Sequence, residues 1–259
     1  MASAPDRNLA GAASAPAGVE AVRAALDGQG YIADEGLATA VFLAMRLPQP
    51  LLVEGEPGVG KSELARALAQ ALGCPFIRLQ CYEGLDSREA LYEWNYLAQL
   101  FELRRRELGE GGQGAAPDGL FERRFLLPRP LLAALEAGRN GPSVLLVDEL
   151  DRADEAFEAF LLEFLADFAI TIPELGTIRA EAPPLVVITS NRTRDLHDAL
   201  RRRCVYHWLD YPDEATEIEI VRSRAPEADA ALARRVVAAV RRLRSLELVK
   251  PPGVAESIA

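Results

Sequence analysis

Lysine is almost missing from this chain. Of 29 basic residues in 259, only Lys61 and Lys250 are lysines, while about one residue in six is alanine. In a composition tilted so far toward Ala and Arg, each surviving lysine marks a position to inspect. Histidine is scarce too, with two residues, and the three cysteines (Cys74, Cys81, Cys204) form no C-x-x-C pair. That leaves no material for a zinc or haem site. Cys74 and Cys81 are expected as reduced, packed thiols rather than a bridge. No apolar run approaches the ~20 residues of a membrane span. The opening Met1-Ala2-Ser3-Ala4-Pro5-Asp6-Arg7 lacks the apolar stretch of a signal peptide. A soluble, cytoplasmic protein is the expectation. Positive charge is in deficit, 29 against 39 acids for a net charge of −10, which argues against a general nucleic-acid-binding surface.

What is present is an ordinary globular composition, 49% hydrophobic and 26% charged, long enough to bury a substantial core. Residues 1–18 are mostly Ala, Gly, Pro and Ser and are expected to be a disordered tail. Helical patterning follows from Val19 to Met45, broken at Gly28-Gln29-Gly30. Short apolar strands are expected at Leu51-Leu52-Val53, Pro75–Leu79, Val144–Val147 and Leu185–Ile188. Helical spacing separates them: Leu64, Leu68 and Leu72 closed by Gly73, Leu131–Ala137 closed by Gly138, and Phe157, Phe160, Leu161 and Phe164. Residues 82–108 are amphipathic and charged, and Gly109, Gly111, Gly112 and Gly114 predict a flexible surface loop. Ile170–Ile172 and Thr177–Arg179 flank Pro173-Glu174-Leu175-Gly176, a hairpin signature. Strands that are apolar throughout and alternate with helices imply a parallel α/β sheet covered on both faces. After Pro212 only helix remains, with Leu232, Val236, Val240 and Leu243 as its expected apolar stripe.

Gly55-Glu56-Pro57-Gly58-Val59-Gly60-Lys61-Ser62 matches G-x-x-x-x-G-K-[ST] and lies between a strand and a helix. The glycines let the backbone wrap an anion, and successive N–H groups with the positive helix end bind phosphate oxygens. Lys61 brings a slim ammonium to the β- and γ-phosphates, and Ser62 a hydroxyl to Mg²⁺. Asp148 and Glu149 close the strand Val144–Val147. The first acid is placed to hold the Mg²⁺ shell, and the second to accept a proton from attacking water. Asn191 ends the next strand, where a neutral amide can orient water or touch the γ-phosphate, though an Asn there also suits a plain turn. In Arg201-Arg202-Arg203-Cys204 the arginines either cover a helix end or reach a neighbouring subunit's γ-phosphate. Spacing leaves the two readings even.

This order of motifs resembles the AAA+ ATPases from about residue 20 onward. Asp148-Glu149-Leu150-Asp151-Arg152-Ala153 and the hairpin of Ile170 to Pro184 are similar to the MoxR branch. Tyr31-Ile32-Ala33-Asp34, Cys81-Tyr82-Glu83-Gly84-Leu85-Asp86 and Tyr92-Glu93-Trp94-Asn95-Tyr96 resemble the CoxD-like accessory ATPases of carbon monoxide dehydrogenase. The resemblance implies a P-loop α/β domain at 19–211, with a hairpin before the Asn191 strand, and a partial helical lid at 212–259. It also implies a ring, usually a hexamer, with ATP and Mg²⁺ bound between subunits. By the same carry-over Gly55 to Glu63 form Walker A, with Ser62 and Asp148 toward Mg²⁺ and Glu149 as the Walker B base. Asn191 is then sensor 1, Arg203 the arginine finger with Arg202 as its alternative, and Tyr31 and Ile32 adenine contacts.

The implied activity is Mg²⁺-dependent ATP hydrolysis by a remodelling or maturation chaperone. Its implied partners are a von Willebrand factor A-domain protein and a molybdenum enzyme as client. Two departures stand out: Glu256 falls near the place of the sensor 2 arginine, and the tail after Pro212 is shorter than a whole lid, as in a fragment or truncated member. Both favour a competing reading, a nucleotide-gated assembly module with little turnover. A nucleic-acid motor or clamp loader is a third, opposed by the acidic balance.

Overall fold

A computed structural model describes residues 16–258 apart from 48, 108–116, 140, 228, 247, 249 and 250. Most of the N-terminal tail, the glycine loop at 109–114 and Lys250 therefore lie outside the described residues.

Helices α1 (Val19–Asp27) and α2 (Glu35–Arg46) precede the first strand, β1 (Leu51–Gly55), which feeds α3 (Lys61–Leu72) and β2 (Phe76–Gln80). An excursion follows: α4 (Ser87–Leu91), β3 (Tyr92–Trp94), α5 (Tyr96–Glu107) and β4 (Leu126–Pro128), with β3 and β4 paired antiparallel. The chain returns through α6 (Pro130–Ala137) to β5 (Val144–Asp148) and α7 (Glu155–Asp167). Strands β6 (Ala169–Ile172) and β7 (Gly176–Arg179) form the expected hairpin, Ile170 opposite Ile178. Then come β8 (Leu185–Ser190), α8 (Asp198–Arg201), β9 (Val205–Leu209), and the C-terminal helices α9 (Glu214–Arg224), α10 (Ala230–Arg244) and α11 (Ala255–Ile258).

The main sheet is parallel, ordered β2-β5-β8-β1-β9. Its three central strands are buried along their whole length, as a parallel sheet covered on both faces requires. Successive side chains point to opposite faces, so Leu51, Val53 and Leu146 join Leu37, Val41, Leu64 and Leu68 of α2 and α3. Leu52, Leu145 and Val147 join Leu131, Leu135, Phe157 and Phe164 of α6 and α7 on the other face. Each such side chain contributes roughly 1.5–3 kcal/mol by leaving water. Aspartates open five of the helices: Asp34, Asp86, Asp154, Asp213 and Asp229 each accept a backbone N–H of the first turn. Part of the acidic excess is therefore capping.

Two expectations are corrected. Strand β9 was not expected. Its residues are half-buried or exposed in alternation, Tyr206 and Trp208 outward, so this edge strand carries no continuous apolar run. On α10 Val240 of the expected stripe is buried and Val236 half-buried, but Leu232 and Leu243 are exposed and the seam is completed by Ala233 and Val237. Arg244, one position beyond Leu243, lies on the buried side. It forms a bidentate pair with Glu217 of α9, Nη1 to Oε2 at 2.8 Å and Nη2 to Oε1 at 2.7 Å. Ser257 of α11 donates to the same carboxylate at 2.9 Å, so a fully buried acid ties α9, α10 and α11 together.

Candidate functional site

Adjacent strands β5, β8 and β1 end side by side, and their carboxyl ends bring Asp148, Ser190 with Asn191, and Gly55 to one crevice. That is where open α/β sheets bind ligands. The loop from Gly55 to Gly60 leads into α3, whose N-cap Gly60 has φ 101°, a left-handed turn that aims the first helical amides back into the loop. Val59 is buried beneath it, while Glu56 and Pro57 face outward. Lys61 is only 6% exposed and folds onto its own loop, Nζ donating to the carbonyls of Gly55 at 2.8 Å and Glu56 at 2.7 Å. Burial lowers its pKa, and the charges of Asp151, Glu56, Asp148 and Glu149 oppose that shift.

Asp148, 1% exposed, has both oxygens saturated. Oδ1 accepts Ser62 Oγ and Thr189 Oγ1, each at 2.6 Å. Oδ2 accepts Arg78 Nε at 2.9 Å and Nη2 at 2.6 Å. Glu149 follows in a left-handed conformation, φ 55°, with its N–H donating to Thr189 Oγ1 at 2.9 Å. A non-glycine residue holds that conformation only where its surroundings enforce it, and here it turns the acid out of the strand direction. Its Oε2 accepts Gln80 Nε2 and Arg152 Nη1, each at 3.1 Å. Asp151, also buried, accepts the backbone N–H groups of Asn191 at 3.2 Å and Thr193 at 2.9 Å, and the Thr193 hydroxyl at 2.7 Å. It thereby fixes the Asn191 main chain to the Asp148–Glu149 segment.

Tyr31 is buried against the loop, its Cε2 3.7 Å from where a Cβ on Gly60 would stand, and half-buried Ile32 follows it. Burial raises the Tyr31 pKa, with help from Asp34 and Glu63, so the phenol stays neutral. Glu63 on α3 pairs with Arg66 at 3.5 Å and with Arg224 of α9 at 2.7 Å. The C-terminal segment reaches the loop directly. Val254 N donates to Gly58 O at 2.9 Å, and the two backbones touch so closely that a Cβ on Gly253 would lie 2.6 Å from Gly58 Cα. Glu256 sits beside this contact, Oε2 accepting Gly253 N at 2.8 Å.

Arg201 is part of the fold. Its guanidinium lies 3.8 Å from buried Glu54 at the end of β1, which also takes Arg192 at 3.6 Å and the Tyr206 hydroxyl at 3.1 Å. Arg202 and Arg203 are exposed on the surface, Arg203 Nη1 reaching Leu162 O at 3.5 Å. They stand outside the cluster that gathers Lys61, Ser62, Asp148, Glu149 and the Asn191 main chain.

Residues 50–204 match the family model described as AAA domain (dynein-related subfamily). The chain belongs to that AAA family. It carries an AAA+ P-loop ATPase domain with a five-stranded parallel sheet. Midasin of Dictyostelium discoideum is 36% identical over 144 residues, which cover 54% of this chain and 2% of midasin. Protein NorQ of Paracoccus denitrificans is 26% identical over 205 residues, 76% of this chain and 66% of NorQ. The likeness to NorQ is a likeness to an AAA protein of the MoxR-like kind. A solved structure from Cytophaga hutchinsonii superposes with a TM-score of 0.55 at 18% identity, covering 88% of this chain and 64% of that one, and shows the same fold. The chain thus spans just under two thirds of NorQ's length and a small fraction of midasin's.

Mg²⁺, which accompanies nucleotide in AAA domains, suits the donor set. A hydroxyl and a carboxylate 2.6 Å apart are hard oxygen donors beside the phosphate loop. Among the described residues no group of three or more His, Cys, Asp or Glu is placed to hold a metal; a Mg²⁺ here would take Ser62 and Asp148 from the protein.

Three contributors went unnoticed in the sequence. Arg78 and Gln80 alternate with apolar neighbours in Phe-Ile-Arg-Leu-Gln, so both point to one face of β2. Thr189 interrupts the apolar run of β8. A polar residue inside an otherwise apolar strand next to the site was the available signal.

Proposed function

We propose that this chain is the nucleotide-hydrolysing unit of a MoxR-type AAA+ chaperone. The observation that carries the reading is the hydrogen-bonded set Ser62–Asp148–Thr189, which joins the phosphate loop to the metal-binding acid and fixes the backbone of Glu149 beside it. In it, Lys61 leaves its loop carbonyls for the β- and γ-phosphates, and Ser62 and Asp148 would hold Mg²⁺, which would offset charge on the phosphoryl oxygens. Glu149 accepts the proton of the attacking water, and Asn191 orients that water. Tyr31 and Ile32 bound the adenine end of the cleft. AAA+ ATPases typically form rings, so a hexamer with Arg203 of a neighbour reaching the γ-phosphate completes the site. The exposure of Arg203 supports this.

The boundary near 212, with the α9–α11 helices acting as a lid on a 19–211 nucleotide domain, belongs to the same proposal. A protein client is supported by α5, where Leu97 is 70% and Phe101 75% exposed, with Tyr96 and Leu100 beside them. A von Willebrand factor A-domain partner rests on the likeness to the MoxR branch, a molybdenum enzyme as client on the CoxD-like residue strings, and a cytoplasmic setting on the composition. Glu149→Gln tests the core: nucleotide binding persists and turnover falls by at least about a hundredfold. Unchanged hydrolysis in that variant would refute the assignment. A second reading, a nucleotide-gated module with little turnover, is favoured by Glu256, an acid beside Gly58 where the family places a cation.

A further inference from the structure

We propose that Arg78 is a positioning residue that stands in for the metal: its guanidinium occupies Asp148 Oδ2 in the nucleotide-free chain and leaves when Mg²⁺ enters. The inference rests on the Mg-nucleotide reading of the same site. Three observations carry it. Arg78 donates twice to one oxygen of a carboxylate that is almost fully buried, through Nε at 2.9 Å and Nη2 at 2.6 Å. The other oxygen is held by Ser62 and Thr189, the groups that face the phosphate loop and β8. Arg78 itself is 48% exposed on the edge strand β2, so the guanidinium has an open route to water.

The electrostatics explain why a stand-in is needed. Asp148, Glu149 and Asp151 lie close together, near enough that all three act on Lys61. Lys61 is turned to the carbonyls of Gly55 and Glu56 and donates to none of these acids. A buried carboxylate without a counter-charge is costly. Arg78 supplies one at Asp148, and Arg152 supplies one at Glu149. A divalent ion arriving with nucleotide brings more charge to the same carboxylate and repels the guanidinium, so the two cations compete for Asp148. Gln80 extends the exchange. Its carbonyl accepts Arg78 Nη2 and its amide donates to Glu149 Oε2, so displacement of Arg78 also frees a partner of the hydrolytic acid.

The test is the Mg²⁺ dependence of nucleotide binding on the full chain, followed with a fluorescent ADP analogue at a series of Mg²⁺ concentrations and in EDTA. With Arg78→Met, which keeps an unbranched side chain without charge, the Mg²⁺ midpoint falls by about three- to tenfold. That is what a hydrogen bond to a charged group is worth after discounting for half exposure. Affinity in EDTA stays at the wild-type value, and Arg78→Lys returns the midpoint toward wild type. Melting curves provide the second readout: the charge-neutral variant loses stability without ligand and regains it with Mg²⁺ and ADP. A midpoint that stays put or rises overturns the proposal, because Arg78 is then structural or helps the metal bind. Weaker nucleotide binding in EDTA also overturns it, since Arg78 is then a phosphate ligand. If wild type shows no Mg²⁺-dependent binding at all, the underlying reading of the site fails with it.

Discussion

Gly253→Ala separates the C-terminal segment from the phosphate loop with one methyl group. The added Cβ would stand 2.6 Å from Gly58 Cα and 2.9 Å from Gly58 C and O. All three are main-chain atoms, with no flexible side chain to swing aside. Gly253 is not among the glycines with positive φ, so alanine adds no backbone strain and the collision acts alone. Overpacking of this kind costs about 1–3 kcal/mol. The segment avoids the cost by lifting off, giving up the 2.9 Å bond from Val254 N to Gly58 O. Amide hydrogen exchange reads this directly. The Val254 N–H should exchange roughly five- to 150-fold faster, the range that 1–3 kcal/mol spans.

A double-mutant cycle sharpens the test. Gly58→Ala carries the reciprocal clash, 2.8 Å to Gly253 Cα, and sits at φ 75°, so strain of about 1–2 kcal/mol adds to it. Once either alanine has opened the contact, the second meets nothing there. The double variant should therefore be less damaged than the sum of the singles. Full additivity, or unchanged Val254 exchange in Gly253→Ala, would show that this segment is not seated on the loop.

Lys61→Met should weaken ADP and ATP binding at least about tenfold through loss of charge-assisted bonds to phosphate, measured by titration calorimetry. Because burial lowers the Lys61 pKa, affinity should also decline at a pH below that of an ordinary lysine as the ammonium is lost. An affinity flat up to pH 10.5 would contradict this. Glu217→Ala strips the buried partner from Arg244 and Ser257 and should cost about 3–5 kcal/mol. Exchange should reveal this as selective loosening of α9–α11 while the sheet stays protected.

The phosphate loop was legible because its chemistry is local: eight consecutive residues contain the turn, the anion cradle, the ammonium and the hydroxyl. The hairpin was legible for the same reason. What escaped was set by contacts distant in sequence. Arg78 meets Asp148 across 70 positions, and Arg244 meets Glu217 across 27. The second of these lies on the buried side of α10, where the leucines that hydrophobic periodicity selects do not. Strand β9 escaped because an edge strand buries only part of each side chain and carries no continuous apolar run, although Val, Tyr and Trp in Val-Tyr-His-Trp-Leu favour a strand. Spacing does not tell Arg201 from Arg202 and Arg203, though the family likeness passes over it; Glu54, buried at the far end of β1, shows that the fold claims it.

Lys61 resting on the carbonyls of Gly55 and Glu56 bears on how a bound nucleotide departs. The ammonium does not wait in solvent for phosphate; it exchanges one set of oxygens for another, and the first set remains within reach. Product leaving the cleft therefore hands the charge back to the loop instead of stranding it. Entry and exit become swaps of oxygens, with the charged phosphates the stronger partners and the neutral carbonyls ready behind them. The buried charge of Lys61 is thus partnered at both ends of a round of loading and release.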